Sequence, residues 1–115
     1  MGSLKDLIVW KKSIDLCEIV YKFTENFPKN EVYGLTSQIR RCSVSIPSNI
    51  AEGQKRFSKK EFAQFLRIAY ASGAEQETQL IIARRLNFVK DKEYEESNEL
   101  LQEIMKMLNK LLRTF

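Results

Sequence analysis

Apolar residues recur along this chain at steps of three and four in four successive stretches, the spacing that gathers side chains on one face of a helix. Turning by about 100° per residue, the first stretch sets Trp10, Ile14, Cys17 and Tyr21 in one narrow line. Val9, Leu16, Val20, Phe23 and Phe27 form a second line about 110° away. Ser13 and Thr24 lie between the lines, and Lys11, Asp15, Glu18, Lys22 and Glu25 form the polar face. The apolar arc is wider than the stripe of about 100° that a single core needs. It predicts two burial surfaces, one in the chain's own bundle and one against a neighbouring subunit; a single broad core contact is the alternative. Phe27-Pro28 closes the helix, because proline disfavours helical geometry in the residue before it.

The second helix is expected from about Asn30 or Glu31, with Leu35, Ile39, Cys42, Ile46 and Ile50 inward and Gly53 as its stop. Pro47 lies inside it. Proline lacks a backbone donor, so a helix through Pro47 is expected to kink and to leave the Ser43 carbonyl open. Ser43, Ser45, Ser48 and Asn49 surround the break and are candidates to satisfy freed backbone groups. Ser58-Lys59-Lys60-Glu61 has the form of a capping box, so a third helix starts there and runs to about Asn87. It turns Phe62, Phe65, Leu66, Ala69, Gly73, Leu80 and Ala83 inward. Folding these two helices about Gln54-Lys55-Arg56 brings Ser45 near Leu66, Cys42 near Ala69 and Gln38 near Gly73. Val9, Leu16, Val20, Phe23, Ser45, Pro47, Asn49 and Gly73 are the expected oligomer or helix-packing positions. Asp91 is the expected cap of the last helix, whose seam is Tyr94, Ser97, Leu101, Ile104, Leu108, Leu111 and Phe115. Short connections then predict an all-α, antiparallel up-down-up-down four-helix bundle occupying residues 1–115 as one domain.

Composition supports that picture: 115 residues, 43% hydrophobic and 30% charged, with two prolines and four glycines. No apolar run approaches the roughly 20 residues of a membrane span. Without a basic segment leading into an apolar block, the default expectation is a cytoplasmic protein. Met1-Gly2-Ser3 is read as a candidate cloning remnant. Cys17 and Cys42 are too far apart for a metal or redox pair and are expected to be buried free thiols. Histidine is absent, which removes the commonest general base and metal ligand and every Ser-His or Cys-His nucleophile. The expectation is therefore no enzyme, no cofactor and no metal site. Glu75 and Glu77 point to different sides of a helix and make a poor acid-base pair.

The net charge of +4 is unevenly spread: residues 40–67 carry +5 and residues 91–103 carry −5. Arg40, Arg41, Lys55, Arg56, Lys59, Lys60 and Arg67 are the candidate nucleic-acid-binding residues; a solvated helix face is the alternative. Aromatic residues beside them are few, Phe57 being the one obvious stacking candidate, so single-strand specificity is not expected. Gln38, Arg41, Glu52 and Glu77, with Asn49 and Glu75, are candidates for a buried or interfacial polar network, set against simple exposure.

Several blocks carry a family resemblance. Val9-Trp10-Lys11-Lys12, Phe27-Pro28-Lys29-Asn30-Glu31 and Tyr33-Gly34-Leu35-Thr36-Ser37-Gln38-Ile39-Arg40-Arg41 are followed by Ser45-Ile46-Pro47-Ser48-Asn49-Ile50-Ala51-Glu52-Gly53 and Glu77-Thr78-Gln79-Leu80. In that order they resemble the 23S rRNA intervening-sequence protein family, also called four-helix bundle proteins. Ala71-Ser72-Gly73-Ala74-Glu75-Gln76 departs from the Gly-Ser pair and Glu-Leu-Glu expected there. The resemblance implies a soluble bacterial protein. It also implies a likeness in fold to the accessory proteins of diversity-generating retroelements, which are homopentamers with a basic surface that bind nucleic acid and a reverse transcriptase.

Two functions follow as expectations. The first is a non-enzymatic homo-oligomer, a pentamer by the resemblance, that binds RNA or DNA, with structured RNA favoured. The second is a structural or protein-interaction scaffold, for example an accessory subunit for a reverse transcriptase or RNA-processing protein, in which the cations only keep the assembly in solution.

Overall fold

Each of the four periodic stretches folds as a helix: α1 Leu4–Thr24, α2 Leu35–Gln54, α3 Lys59–Arg85 and α4 Asp91–Leu112. The computed structural model describes residues 4–115, and the expectation for Met1-Gly2-Ser3 lies outside them. No strand occurs among the described residues, and the fold is an all-α four-helix bundle. Each helix packs on its sequence neighbours, α1 closes the ring on α4, and α2 against α3 is the most extensive interface. Cross-helix hydrogen bonds run in opposite directions along successive helices: Ile39 meets Gln76 while Ser45 meets Ser72, and Cys17 meets Ser43 while Thr24 meets Arg40. The bundle is 43 Å long and 24 by 18 Å across.

The core runs the length of the bundle through Val9, Leu16, Val20, Ile46, Ile50, Leu66, Leu80, Leu101 and Ile104, all fully buried. Val9, Leu16, Val20 and Phe23 are thus helix-packing residues within the chain. The other line of α1 is different. Trp10, Ile14 and Cys17 are half-buried and Tyr21 is exposed, with Leu7 exposed one turn before Trp10.

α2 begins later than its pattern suggested. Pro28 leads into a single 3-10 turn at Lys29–Glu31, and the Leu35 N–H then donates to Glu31 Oε1 at 3.1 Å, so a side chain from the turn caps the helix. α2 also passes Gly53 and ends at Gln54. Gly53 serves close approach: a Cβ there would lie 2.8 Å from Phe62 Cδ1 and 2.9 Å from Phe65 Cβ. The α2–α3 register is shifted from the expected one by close to a helical turn. Cys42 Sγ donates to the Ser72 carbonyl (3.0 Å) and Ser45 Oγ bonds Ser72 Oγ (2.8 Å), because the reversal is centred beyond Arg56. Gly73 consequently faces α4, where a Cβ would run into Met105 Sδ, and not Gln38.

α2 continues through Pro47, which is buried, and the acceptor that proline leaves open on Ser43 is filled from α1 by Cys17 Sγ at 3.1 Å. The Ser43 hydroxyl donates to the Arg40 carbonyl (2.8 Å), and Asn49 Nδ2 donates to the Ser45 carbonyl (2.8 Å). α3 opens as expected, with the Glu61 N–H donating to Ser58 Oγ at 3.1 Å. α4 opens differently: Glu93 Oε1 accepts from the Lys90 N–H (3.1 Å), and Asp91 instead pairs with Arg84 Nε at 3.5 Å.

Candidate nucleic-acid interface

The α2–α3 turn, residues 55–58, is held at both roots. Lys55 and Arg56 N–H groups donate to the Glu52 and Gly53 carbonyls (both 3.1 Å), and the Phe62 N–H donates to the Ser58 carbonyl (3.1 Å). Between these anchors the side chains project into solvent. Lys55, Arg56, Lys59, Lys60 and Arg67 are all exposed, and Phe57 is fully exposed at the tip. Among the described residues none of these five cations forms an ion pair. Lys59, Lys60 and Arg67 line a cavity of about 380 Å³ with Ala63, Thr114 and Phe115, so the end of α4 forms its far wall. Phe115 is fixed there by an edge-to-face contact with Phe62, centroids 5.7 Å apart. Lys110 in the last turn of α4 and Arg113 just after it, both exposed, add charge. Arg56 lies over the Phe65 ring at 4.7 Å, which fixes its direction and leaves its charge outward.

The structure does not bring Arg40 and Arg41 to this end, because they lie on α2 about 22 Å before the turn at 1.5 Å per residue. Arg40 is committed to α1: its Nε donates to Thr24 Oγ1 at 2.8 Å and its guanidinium covers the Tyr21 ring at 4.7 Å. Arg41 lines a separate open groove of about 860 Å³ on the outer α2–α3 face, with Tyr33, Gln38, Cys42, Glu75 and Gln79 among its walls.

The expected network of Gln38, Arg41, Glu52 and Glu77 is not the one that forms within the chain. Gln38, Arg41 and Glu52 are exposed, and Glu77 accepts from Gln102 Nε2 on α4. The internal polar chain starts instead at Gln76, fully buried, whose Nε2 donates to the Ile39 carbonyl and to Gln79 Oε1, both at 3.1 Å. Gln79 Nε2 passes it outward to Glu75 Oε2 at 3.2 Å. Its signal was present, since Gln76 falls between Gly73 and Leu80 on the inward spacing of α3.

Burial pushes the Cys17 thiol above its ordinary value, and burial together with the nearby Glu75 charge pushes Cys42 up to about 12. Among the described residues no cluster of acids and cysteines has the form of a metal site, and no helix is long and apolar enough to cross a membrane.

A family model described as 23S rRNA-intervening sequence protein matches residues 5–110. The chain is also similar to the crystal structure of a protein with unknown function from the S23 ribosomal protein family of Bacteroides thetaiotaomicron VPI-5482. The two superpose with a TM-score of 0.86 at 28% identity, covering 96% of this chain and 99% of that one. No curated protein matches the chain.

Proposed function

We propose, from the premise that this chain belongs to the 23S rRNA-intervening sequence protein family, that it is a non-enzymatic nucleic-acid-binding bundle acting through the end built by the α2–α3 turn. The observation that carries this reading is the gathering of Lys55, Arg56, Lys59, Lys60 and Arg67 at one end without acidic partners among the described residues. Unpaired surface cations in such density are the footprint of a polyanion site, and phosphate contacts of this kind give affinity with little base readout. The acids of α4 cluster on its first half, at the opposite end of the 43 Å axis, where they do not offset this charge. Structured RNA is the favoured ligand, as its paired backbone presents phosphates at fixed spacing.

The protein acts as a homo-oligomer in this reading. Leu7, Trp10, Ile14 and Tyr21 are part-exposed apolar residues on α1, Val44 is exposed on the neighbouring α2, and Tyr70 and Ile81 are exposed on α3. Two unlike surfaces on one chain favour head-to-tail closure into a ring, and the pentamer is the ring implied by the likeness to retroelement accessory proteins. A ring repeats the basic end and multiplies its affinity. The test is titration of RNA and DNA at two salt concentrations, with native mass measured in parallel. Affinity falling steeply with salt is expected; absence of binding at low salt removes the reading.

The groove around Tyr33 and Arg41 favours a second reading, a protein-interaction scaffold for a reverse transcriptase or RNA-processing partner, because Tyr33 is 95% exposed and shares the groove with the exposed Arg41. Pull-downs with Tyr33→Ala and Arg41→Ala separate the two readings.

A further inference from the structure

We infer that Phe57 is a base-stacking residue, and that the tip of the α2–α3 turn takes an unpaired nucleotide whose flanking phosphates are held by Lys55, Arg56, Lys59 and Lys60. The inference rests on the nucleic-acid reading above and names the part of the ligand that this site recognises.

Three observations carry it. Phe57 is fully exposed, so its ring loses no water on folding and is left to do so on binding. It is not on a loose loop: the hydrogen bonds of Lys55, Arg56, Glu61 and Phe62 fix both roots of the turn, and the Ser58 cap ties its exit to α3. A ring presented on a rigid turn keeps most of its binding free energy, because little freedom is lost when a ligand covers it. Finally, the ring stands inside Lys55-Arg56-Phe57-Ser58-Lys59-Lys60, with two cations on each side. That setting selects among apolar partners. Lysine is depleted from protein–protein contact surfaces, where its hydration is costly to remove, whereas a nucleotide offers in one unit a flat face for the ring and an anion for the lysines. A fully paired duplex buries its base faces in its own stack, so only an unpaired base, in a loop, bulge or strand end, can cover Phe57.

The experiment uses the full chain and two probes: a short single-stranded oligoadenylate carrying a fluorescent adenine analogue, and a blunt RNA duplex of equal length. Wild-type protein is expected to bind both at low salt and to quench the analogue. Phe57→Ala is expected to weaken single-strand binding roughly tenfold or more and to abolish quenching, with duplex binding unchanged. Phe57→Trp retains both properties. Phe57→Leu, apolar but without a ring, behaves as Phe57→Ala. Single-strand affinity and quenching unchanged in Phe57→Ala overturn the inference and leave the nucleic-acid reading standing, as does an equal loss on both probes. Failure of wild-type protein to bind either probe removes that reading itself. Binding to anionic lipid vesicles alone, lost in Phe57→Ala, also overturns the inference, by assigning the ring to a membrane surface.

Discussion

The Cys17 thiol donates to the Ser43 carbonyl at 3.1 Å, and Ser43 is the residue whose helical acceptor Pro47 leaves without its intrahelical donor. A side chain of α1 therefore completes the backbone of α2. Ser43 is fully buried, where an unsatisfied carbonyl costs about 1–3 kcal/mol. Burial keeps the Cys17 thiol protonated and able to donate.

Replacing Cys17 by Ala should cost about 1–2 kcal/mol by leaving that carbonyl bare. In a Pro47→Ala background the restored N–H fills it, and the same replacement should cost clearly less. Urea unfolding of the four proteins closes the cycle. Equal losses in both backgrounds would show that the thiol acts only by filling space.

Gly73 supplies a second prediction. Alanine in place of glycine inside a helix gains about 1 kcal/mol of propensity. Here its Cβ would run into Met105 Sδ, so that flexible side chain must move aside and its shift offsets part of the gain. Gly73→Ala is expected to stabilise by clearly less than about 1 kcal/mol in the wild-type chain and to reach about 1 kcal/mol in a Met105→Ala chain. Chemical denaturation midpoints decide it. An equal gain in both chains would show that Met105 moves aside without cost.

These two sites mark how far the sequence could be read. The helices and their inward seams were legible because period alone sets them, and Ser58 with Glu61 announced the start of α3 at its residue. Register was not. Whether Cys42 meets Ala69 or Ser72 depends on where the chain reverses, and extending α2 by the single residue Gln54 moves every cross-helix pair. The two roles of glycine, stopping a helix and letting another approach, look the same in a sequence, which hid what Gly53 does, while the register hid what Gly73 faces. The candidate site was legible where its cations are neighbours across one turn. Arg40 and Arg41 were drawn into it by proximity in sequence, but adjacent residues diverge by about 100° around a helix, and α1 claimed the first of them.

Alkaline pH gives a third prediction. Folding raises the Cys42 thiol from its ordinary 9.0 to about 12, so the native state holds this proton more tightly than the unfolded chain does. The stabilisation is complete below pH 9.0 and is lost as pH rises towards about 12. The stability advantage of wild-type protein over Cys42→Ala should therefore shrink steadily across that window. A constant difference would mean that the thiol ionises as freely when folded as when unfolded.

The last prediction tests the proposed division between cations that bind nucleic acid and cations that hold the bundle. Each phosphate contact removed should flatten the plot of log affinity against log salt by about one unit. Lys59→Ala and Lys60→Ala are each expected to do so. Neither should lower the melting temperature, because both lie in the first turn of α3, where positive charge opposes the helix dipole and neutral replacement is neutral to favourable. Arg40→Ala should behave in the opposite way. Its guanidinium bonds Thr24 and covers Tyr21, so its loss should destabilise the α1–α2 contact by about 1 kcal/mol and leave the salt slope unchanged. Isothermal titration at several salt concentrations, with thermal melts of the same variants, reads both properties. Equal slopes for Arg40→Ala and Lys60→Ala would return Arg40 to the interface and break the division that the Thr24 bond draws between them.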